Sequence, residues 1–199
     1  MSAFTWPPDS SSQPGADRSP AAEPKQPVAA AVLVPLFLAA DSRDPHVVLT
    51  KRRSDLRRHA GEISFPGGRM DAEDADLTAT ALREAEEEIG LSGSQVTLLG
   101  ELPPTSTFVT NYVIHPFVAM IPAGVAWRLS AREVDTVLEL PLEAVRAGRT
   151  TTEIERRGMT FETDAYIVED NVIWGATARI IEHLLERLSA GPAGQLSLT

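Results

Sequence analysis

The sequence predicts an α/β layered domain, and three observations carry that expectation. Short runs rich in β-branched residues recur along the chain, beginning with Val28–Phe37 and His46–Arg52. Two segments, about Ala75–Ile89 and Trp174–Leu188, instead space their apolar residues as helices do. These helices interrupt the series of strands rather than following it, the order found in layered α/β domains.

Residues 1–27 are rich in Pro, Ser and Ala, with only Phe4 and Trp6 as large apolar groups. Such a segment buries too little to offset its ordering entropy, so a disordered tail is expected. The apolar run Val28–Ala40 is 13 residues long and broken by Pro35. It is too short to cross a bilayer as a helix and reads as a buried strand. A basic, glycine-containing stretch, Lys51–Arg69, leads into the helix at about Ala75–Ile89. Strands are expected in Gln95–Leu102 and Phe108–Ile121, with Pro103–Thr107 as the turn between them. Glu133–Leu142 reads as a strand then a short helix, and Thr151–Val168 as two strands joined near Gly158. The closing helix sets Ala178, Ile181, Leu184, Leu185 and Leu188 on one side, and residues 190–199 read as a frayed tail. The folded unit is therefore expected over 28–189.

Composition narrows the function classes. Twenty-eight acidic residues face 18 basic ones, a formal net charge of −10. This disfavours nucleic acid or an anionic membrane as partner, and no aromatic residue is interleaved with the bases of Lys51–Arg58. Cysteine is absent, which excludes disulfides, thiolate zinc sites and a cysteine nucleophile, and fits a cytoplasmic location. The amino terminus has neither the basic start nor the apolar run of a signal peptide.

The helix ending at Ile89 carries an unusual load. Asp74 or Asp76 is positioned to cap its start, and Gly90 stands where a left-handed terminating residue belongs. Leu77, Ala81, Leu82, Ala85 and Ile89 form its apolar stripe. Glu84, Glu86, Glu87 and Glu88 crowd its last turns, and Glu84, Glu87 and Glu88 share a face at i, i+3, i+4 spacing. The helix dipole is negative there, so the cluster breaks a local rule. A divalent cation such as Mg²⁺ or Mn²⁺ would resolve the conflict, because hard ions take carboxylate oxygens. On the glutamates alone, a solvated acidic face is an equally good reading. An EF-hand loop starting at Asp71 fails, having Asp76 at position six and Leu82 at position twelve.

The stretch before the helix favours the cation. Lys51, Arg52, Arg53, Arg57, Arg58 and Arg69 gather six of the 18 basic residues. Gly67 and Gly68 of "FPGG" let the backbone turn and approach a ligand closely. Cations beside a metal site suit a polyphosphate, with guanidiniums holding the anion, although some of these bases serve only to balance nearby acids.

These residues resemble the Nudix hydrolases. That signature runs Gly, five residues, Glu, seven residues, then Arg-Glu-apolar-any-Glu-Glu-any-Gly-apolar; "REAEEEIGL", Arg83–Leu91, matches its second half. Counting from Gly68, the first glutamate position holds Asp74, and the interval to Arg83 is one residue longer than in the family. Upstream, "LTKRRSDLRRHAGEISFPGG", Leu49–Gly68, is similar to the extended motif of the coenzyme A pyrophosphatase branch. Thr50, Arg52, Arg57, Gly61, Phe65, Pro66, Gly67 and Gly68 agree with it, while Arg53 replaces a small residue.

The resemblance implies a Nudix fold, a mixed sheet sandwiched between helices. It implies a metal-dependent hydrolase cleaving the diphosphate of coenzyme A or its thioesters to 3′,5′-ADP and a 4′-phosphopantetheine product. Glu84, Glu87 and Glu88 would bind Mg²⁺ or Mn²⁺, and Arg83 would orient them. Arg52 and Arg57 are candidates for the diphosphate or the 3′-phosphate. Glu87 or Glu133 would serve as general base. His59 and His115 are phosphate contacts or, more commonly for lone histidines, structural hydrogen-bonders. The rival substrates are ADP-ribose, diadenosine polyphosphates and nucleoside triphosphates, and the rival class is a non-catalytic binding module. The oligomeric state is not legible, and a homodimer stays open.

Overall fold

The first apolar run becomes the central strand, β1 (Val28–Leu38), and its alternation organises the molecule. Val32, Val34 and Leu36 point into one core, while Ala31, Leu33 and Phe37 point into another. Both faces are covered, which is why the strand reads as nearly continuous apolar sequence. The structure is a computed structural model, and residues 27–55, 61–107, 111–156 and 158–190 are described. Apart from Pro27 and Ala190, the two expected tails lie outside the described residues.

β1 runs parallel to β7 (Tyr112–Met120). On its other side it pairs antiparallel with β4 (Gly67–Arg69) through Ala30–Val32 and with β2 (Pro45–Arg52) through Leu36–Leu38. Pro35, which has no amide hydrogen to give a ladder, falls in the gap between these two registers. β2 also pairs with β3 (Ile63–Ser64) and β8 (Val134–Pro141), and β7 with β5 (Thr97–Glu101) and β6 (Thr105–Ser106). A separate antiparallel sheet is made of β9 (Arg149–Arg156), β10 (Met159–Val168) and β11 (Asn171–Trp174).

Helix α1 (Leu77–Ile89) lays Ala81, Ala85 and Ile89 on the face of β1 that carries Leu33. Short α2 (Leu142–Ala147) and the closing α3 (Gly175–Ser189) cover the opposite face, through Val145, Ile181 and Leu184. The arrangement is the expected α/β fold, a mixed sheet between helices. No helix among the described residues is long and apolar enough to cross a membrane.

Three details depart from expectation. α1 starts at Leu77 rather than near Ala75, because Asp76 is the cap and accepts from the Ala79 amide at 2.8 Å. The Pro103–Thr107 segment is not purely a turn, since Thr105–Ser106 pairs with β7. β3, β4 and β11 were not foreseen; at two to four residues they are too short to show a period.

Candidate active site

The acidic end of α1 is built on arginines. The Arg83 guanidinium donates through Nε and Nη2 to the two Asp74 oxygens, at 2.9 and 3.0 Å. Its Nη1 donates to Glu84 at 3.0 Å and Glu87 at 3.4 Å, and Nη2 also reaches the Arg69 carbonyl at 3.2 Å. These bonds engage all five of its donors, leaving none for another ligand. Asp74 also accepts from the Asp71 amide and the Thr80 hydroxyl, each at 2.9 Å. Hydrogen bonding from Arg83 above all holds the Asp74 carboxyl well below the usual carboxylate range. Asp74 thus clamps Arg83 despite the longer interval, which the turn at Asp71–Asp76 absorbs.

The three shared-face glutamates are not equivalent. Side-chain exposure is 61% for Glu87, 17% for Glu84 and 6% for Glu88. Burial raises the Glu84 carboxyl, against the pull of Arg83. Glu88 is pushed up to about 8, first by burial and then by Glu133 and Glu84, with Arg52 opposing. Its Oε1 lies 3.9 Å from Arg52 Nη1, too far for a hydrogen bond, and its buried Oε2 has no partner. Arg52 Nε is likewise buried without a partner, and Nη2 lies 3.7 Å from Glu133. An orphaned buried polar atom costs about 1–3 kcal/mol, and more when charged. The chain's own groups therefore leave the Glu88 carboxyl only partly satisfied.

Local chain geometry delivers these groups. The segment after α1 returns to its C-terminal end, where Arg128 donates to the Ile89 carbonyl at 3.0 Å and Ser130 to that of Glu88 at 2.8 Å. Gly90, at φ 72°, makes the turn out of the helix. The return brings Glu133 beside Arg52 at the end of β2. Arg53 is turned away, donating to Asp55 and to the Ala131 carbonyl, so it fastens this segment rather than the site. Gly67 lies so close to Ala31 and Val32 that a Cβ would overlap their backbone. A Cβ on Gly68 would run into the Glu84 carboxylate.

Among the described residues no three acidic or imidazole groups already form a cage, because arginines stand between the carboxylates. The donors nevertheless fit a hard divalent ion: all are oxygens, one is buried and unpartnered, and one is pressed onto a glycine. Arg52, Gly67 and Gly68 also line a cavity of about 770 Å³, whose far wall comes from β10, β11 and α3.

Of the remaining sequence candidates, His115 Nδ1 lies 2.9 Å from Oε1 of Glu101, on β5. Arg57 and His59 lie outside the described residues. Phe161, Trp174, Arg149, Arg156 and Arg179 line the cavity without having been singled out in the sequence. Alternation in Thr151–Val168 marks two of them as sharing a face, but nothing local says what that face meets.

Known proteins share this architecture. The family model described as NUDIX domain matches residues 27–159. A relative named uncharacterized Nudix hydrolase NudL, from Salmonella paratyphi B, is 39% identical over 165 residues, covering 82% of this chain and 84% of its own. The same relative in Salmonella newport gives the same figures. Among solved structures, a MutT/nudix family protein from Enterococcus faecalis superposes with a TM-score of 0.58 at 16% identity, over 83% of this chain and 63% of that one. The NUDIX domain of Shewanella oneidensis NrtR, solved with ADP ribose, gives 0.54 at 17% identity, over 83% and 90%. These two show the fold.

Proposed function

We propose a coenzyme A diphosphatase: the chain belongs to the Nudix hydrolase family, and its own residues suit that substrate. Glu84, Glu87 and Glu88 would hold Mg²⁺ or Mn²⁺. The observation that carries this reading is the Glu88 carboxylate, buried with one oxygen unpartnered beside Arg52. Coenzyme A is favoured within the family by the Leu49–Gly68 stretch, which supplies that arginine together with Gly67 and Gly68.

The divalent ion, when bound, withdraws charge from the diphosphate and lowers the pKa of water. Arg83 is a positioning residue, because its donors are consumed by Asp74, Glu84, Glu87 and the Arg69 carbonyl. Arg52, which lines the cavity, and Arg57 would meet the diphosphate, and charge-assisted bonds to phosphate are the strong ones. A proton must leave the attacking water. Glu133 and Glu87 are the candidates to take it, since both are substantially exposed carboxylates at the site. Attack on the P–O–P bridge needs no covalent enzyme intermediate.

A turnover screen of coenzyme A, ADP-ribose and diadenosine tetraphosphate with each metal, analysed by products, tests the reading. Coenzyme A should yield 3′,5′-ADP. Release of AMP and ribose 5-phosphate from ADP-ribose, with coenzyme A untouched, would move the substrate assignment. No turnover of any substrate would leave a binding module.

A further inference from the structure

Beyond Arg52, Gly67 and Gly68, the cavity is walled by groups that the hydrolytic chemistry does not use. Register places them. Phe161 pairs with Ile154, Met159 with Arg156, and Ala165 with Trp174, so the inner face of the small sheet carries Met159, Phe161, Arg156 and Trp174 together. Phe161 meets Trp174 edge-on, with ring centroids 6.0 Å apart, and the Arg156 guanidinium lies 5.2 Å over the Trp174 ring. Met159 and Phe161 remain 66% and 39% exposed, although both line a concave surface. Large apolar groups left open in a pocket are the mark of a surface that something else covers.

The charge of the cavity says what that is. Five arginines line it against three carboxylates; Arg149 pairs with Glu182 and Arg156 with Glu62, which leaves Arg52, Arg69 and Arg179 against Asp164 as the excess. A saturated arm would want the apolar walls without that excess; a flat ring carrying phosphate wants both. The volume of about 770 Å³ lies in the range of small-molecule sites. Arg156 is held at 2.8 Å by Glu62, whose backbone carbonyl accepts from Arg52. The aromatic wall is thereby set in fixed relation to the glycines beside Glu84. Phe161, Trp174 and Arg179 also lie beyond the segment that matches the family model, as expected of groups that choose a substrate rather than cleave it.

We propose that this cavity is the nucleotide subsite. The purine ring packs on Phe161 and Met159 beside Trp174, and Arg179 meets a phosphate monoester on the ribose. This rests on the hydrolase reading and adds which half of the substrate faces the small sheet.

Calorimetry on the full chain, with 3′,5′-ADP, 5′-AMP and 4′-phosphopantetheine as separate titrants, tests it. Phe161→Ala should weaken 3′,5′-ADP by about tenfold or more and leave 4′-phosphopantetheine within twofold, in keeping with the worth of ring stacking. In turnover it should raise KM while sparing kcat. Arg179→Ala should weaken 3′,5′-ADP more than 5′-AMP, because only the former carries the extra phosphate. Met159→Ala, at the more exposed position, gives the same readout should Phe161→Ala unfold the hairpin. No binding of 3′,5′-ADP to the unaltered chain, unchanged affinity in both variants, or a loss confined to 4′-phosphopantetheine would overturn the assignment. Failure of the coenzyme A reading shows separately, as no 3′,5′-ADP released by the unaltered chain.

Discussion

The two sides of β1 are built by different means. On the α1 side, charged groups sit within one helix and the turn before it, and Arg83 ties Asp74, Glu84 and Glu87 together at hydrogen-bond distance. On the other side, residues from β9, β10, β11 and α3 meet across a cavity, and their positions depend on strand register. One site is specified by spacing, the other by tertiary assembly. A local site tolerates little substitution, because one guanidinium, that of Arg83, bonds three of its carboxylates at once. The assembled one should trade residues with graded effects.

The largest expected effect falls on the local side. Glu87→Gln should lower kcat by on the order of 10³-fold, comparable to removing one preorganised electrostatic group. Because Glu87 is mostly exposed, Tm should hardly move. Activity within tenfold of the unaltered protein would break the contrast between the two sides. Arg83→Lys should cost about 10- to 100-fold, as for other groups that orient ligands. An ammonium cannot replace the planar fork that grips Asp74 and reaches two glutamates, so retained charge should not rescue turnover. Gly68→Ala should reduce kcat by about tenfold, since misplacing one charged group blunts rather than removes its stabilisation. The new methyl displaces the Glu84 carboxylate, so weaker Mg²⁺ or Mn²⁺ binding by calorimetry should accompany the loss.

A separate effect, read in stability rather than rate, depends on pH. Glu88 has an ordinary value near 4.5 and is raised to about 8 in the folded protein. The folded state therefore holds a proton that the unfolded chain has released across that window. Stability of the metal-free protein is full below pH 4.5 and falls as pH rises toward 8, by at most about 1.4 kcal/mol per unit. Urea denaturation at pH 5 and pH 8 measures the slope, and Glu88→Gln should flatten it. Mg²⁺ at about a hundred times its Kd should restore about 2.7 kcal/mol at pH 8. A slope of opposite sign would mean that Glu88 is not the orphan the geometry makes it.

The contrast also accounts for what the sequence reveals. The long strands and both amphipathic helices are legible because alternation and helical spacing persist over many residues, as in Val28–Leu38 and Gly175–Ser189. β3 and β4 pair only because strands distant in sequence present edges to them, and β11, the short arm of a hairpin with β10, is too brief to show a period. Within the site, the glutamates and Arg83 are visible as a spacing. The Asp74 clamp is half visible, since the longer interval masks a contact that the folded turn restores. Arg52 between Glu88 and Glu133 required three segments to meet. The cavity residues carry no local pattern that distinguishes them from an ordinary half-buried strand face.

β1 behaves as a party wall between two rooms. Ala31, Leu33 and Phe37 belong to one tenant and Val32, Val34 and Leu36 to the other. Swapping the furnishings on the even side to admit a bulkier guest leaves the odd side and its reactive helix in place. A slip of this strand by a single residue would evict both at once.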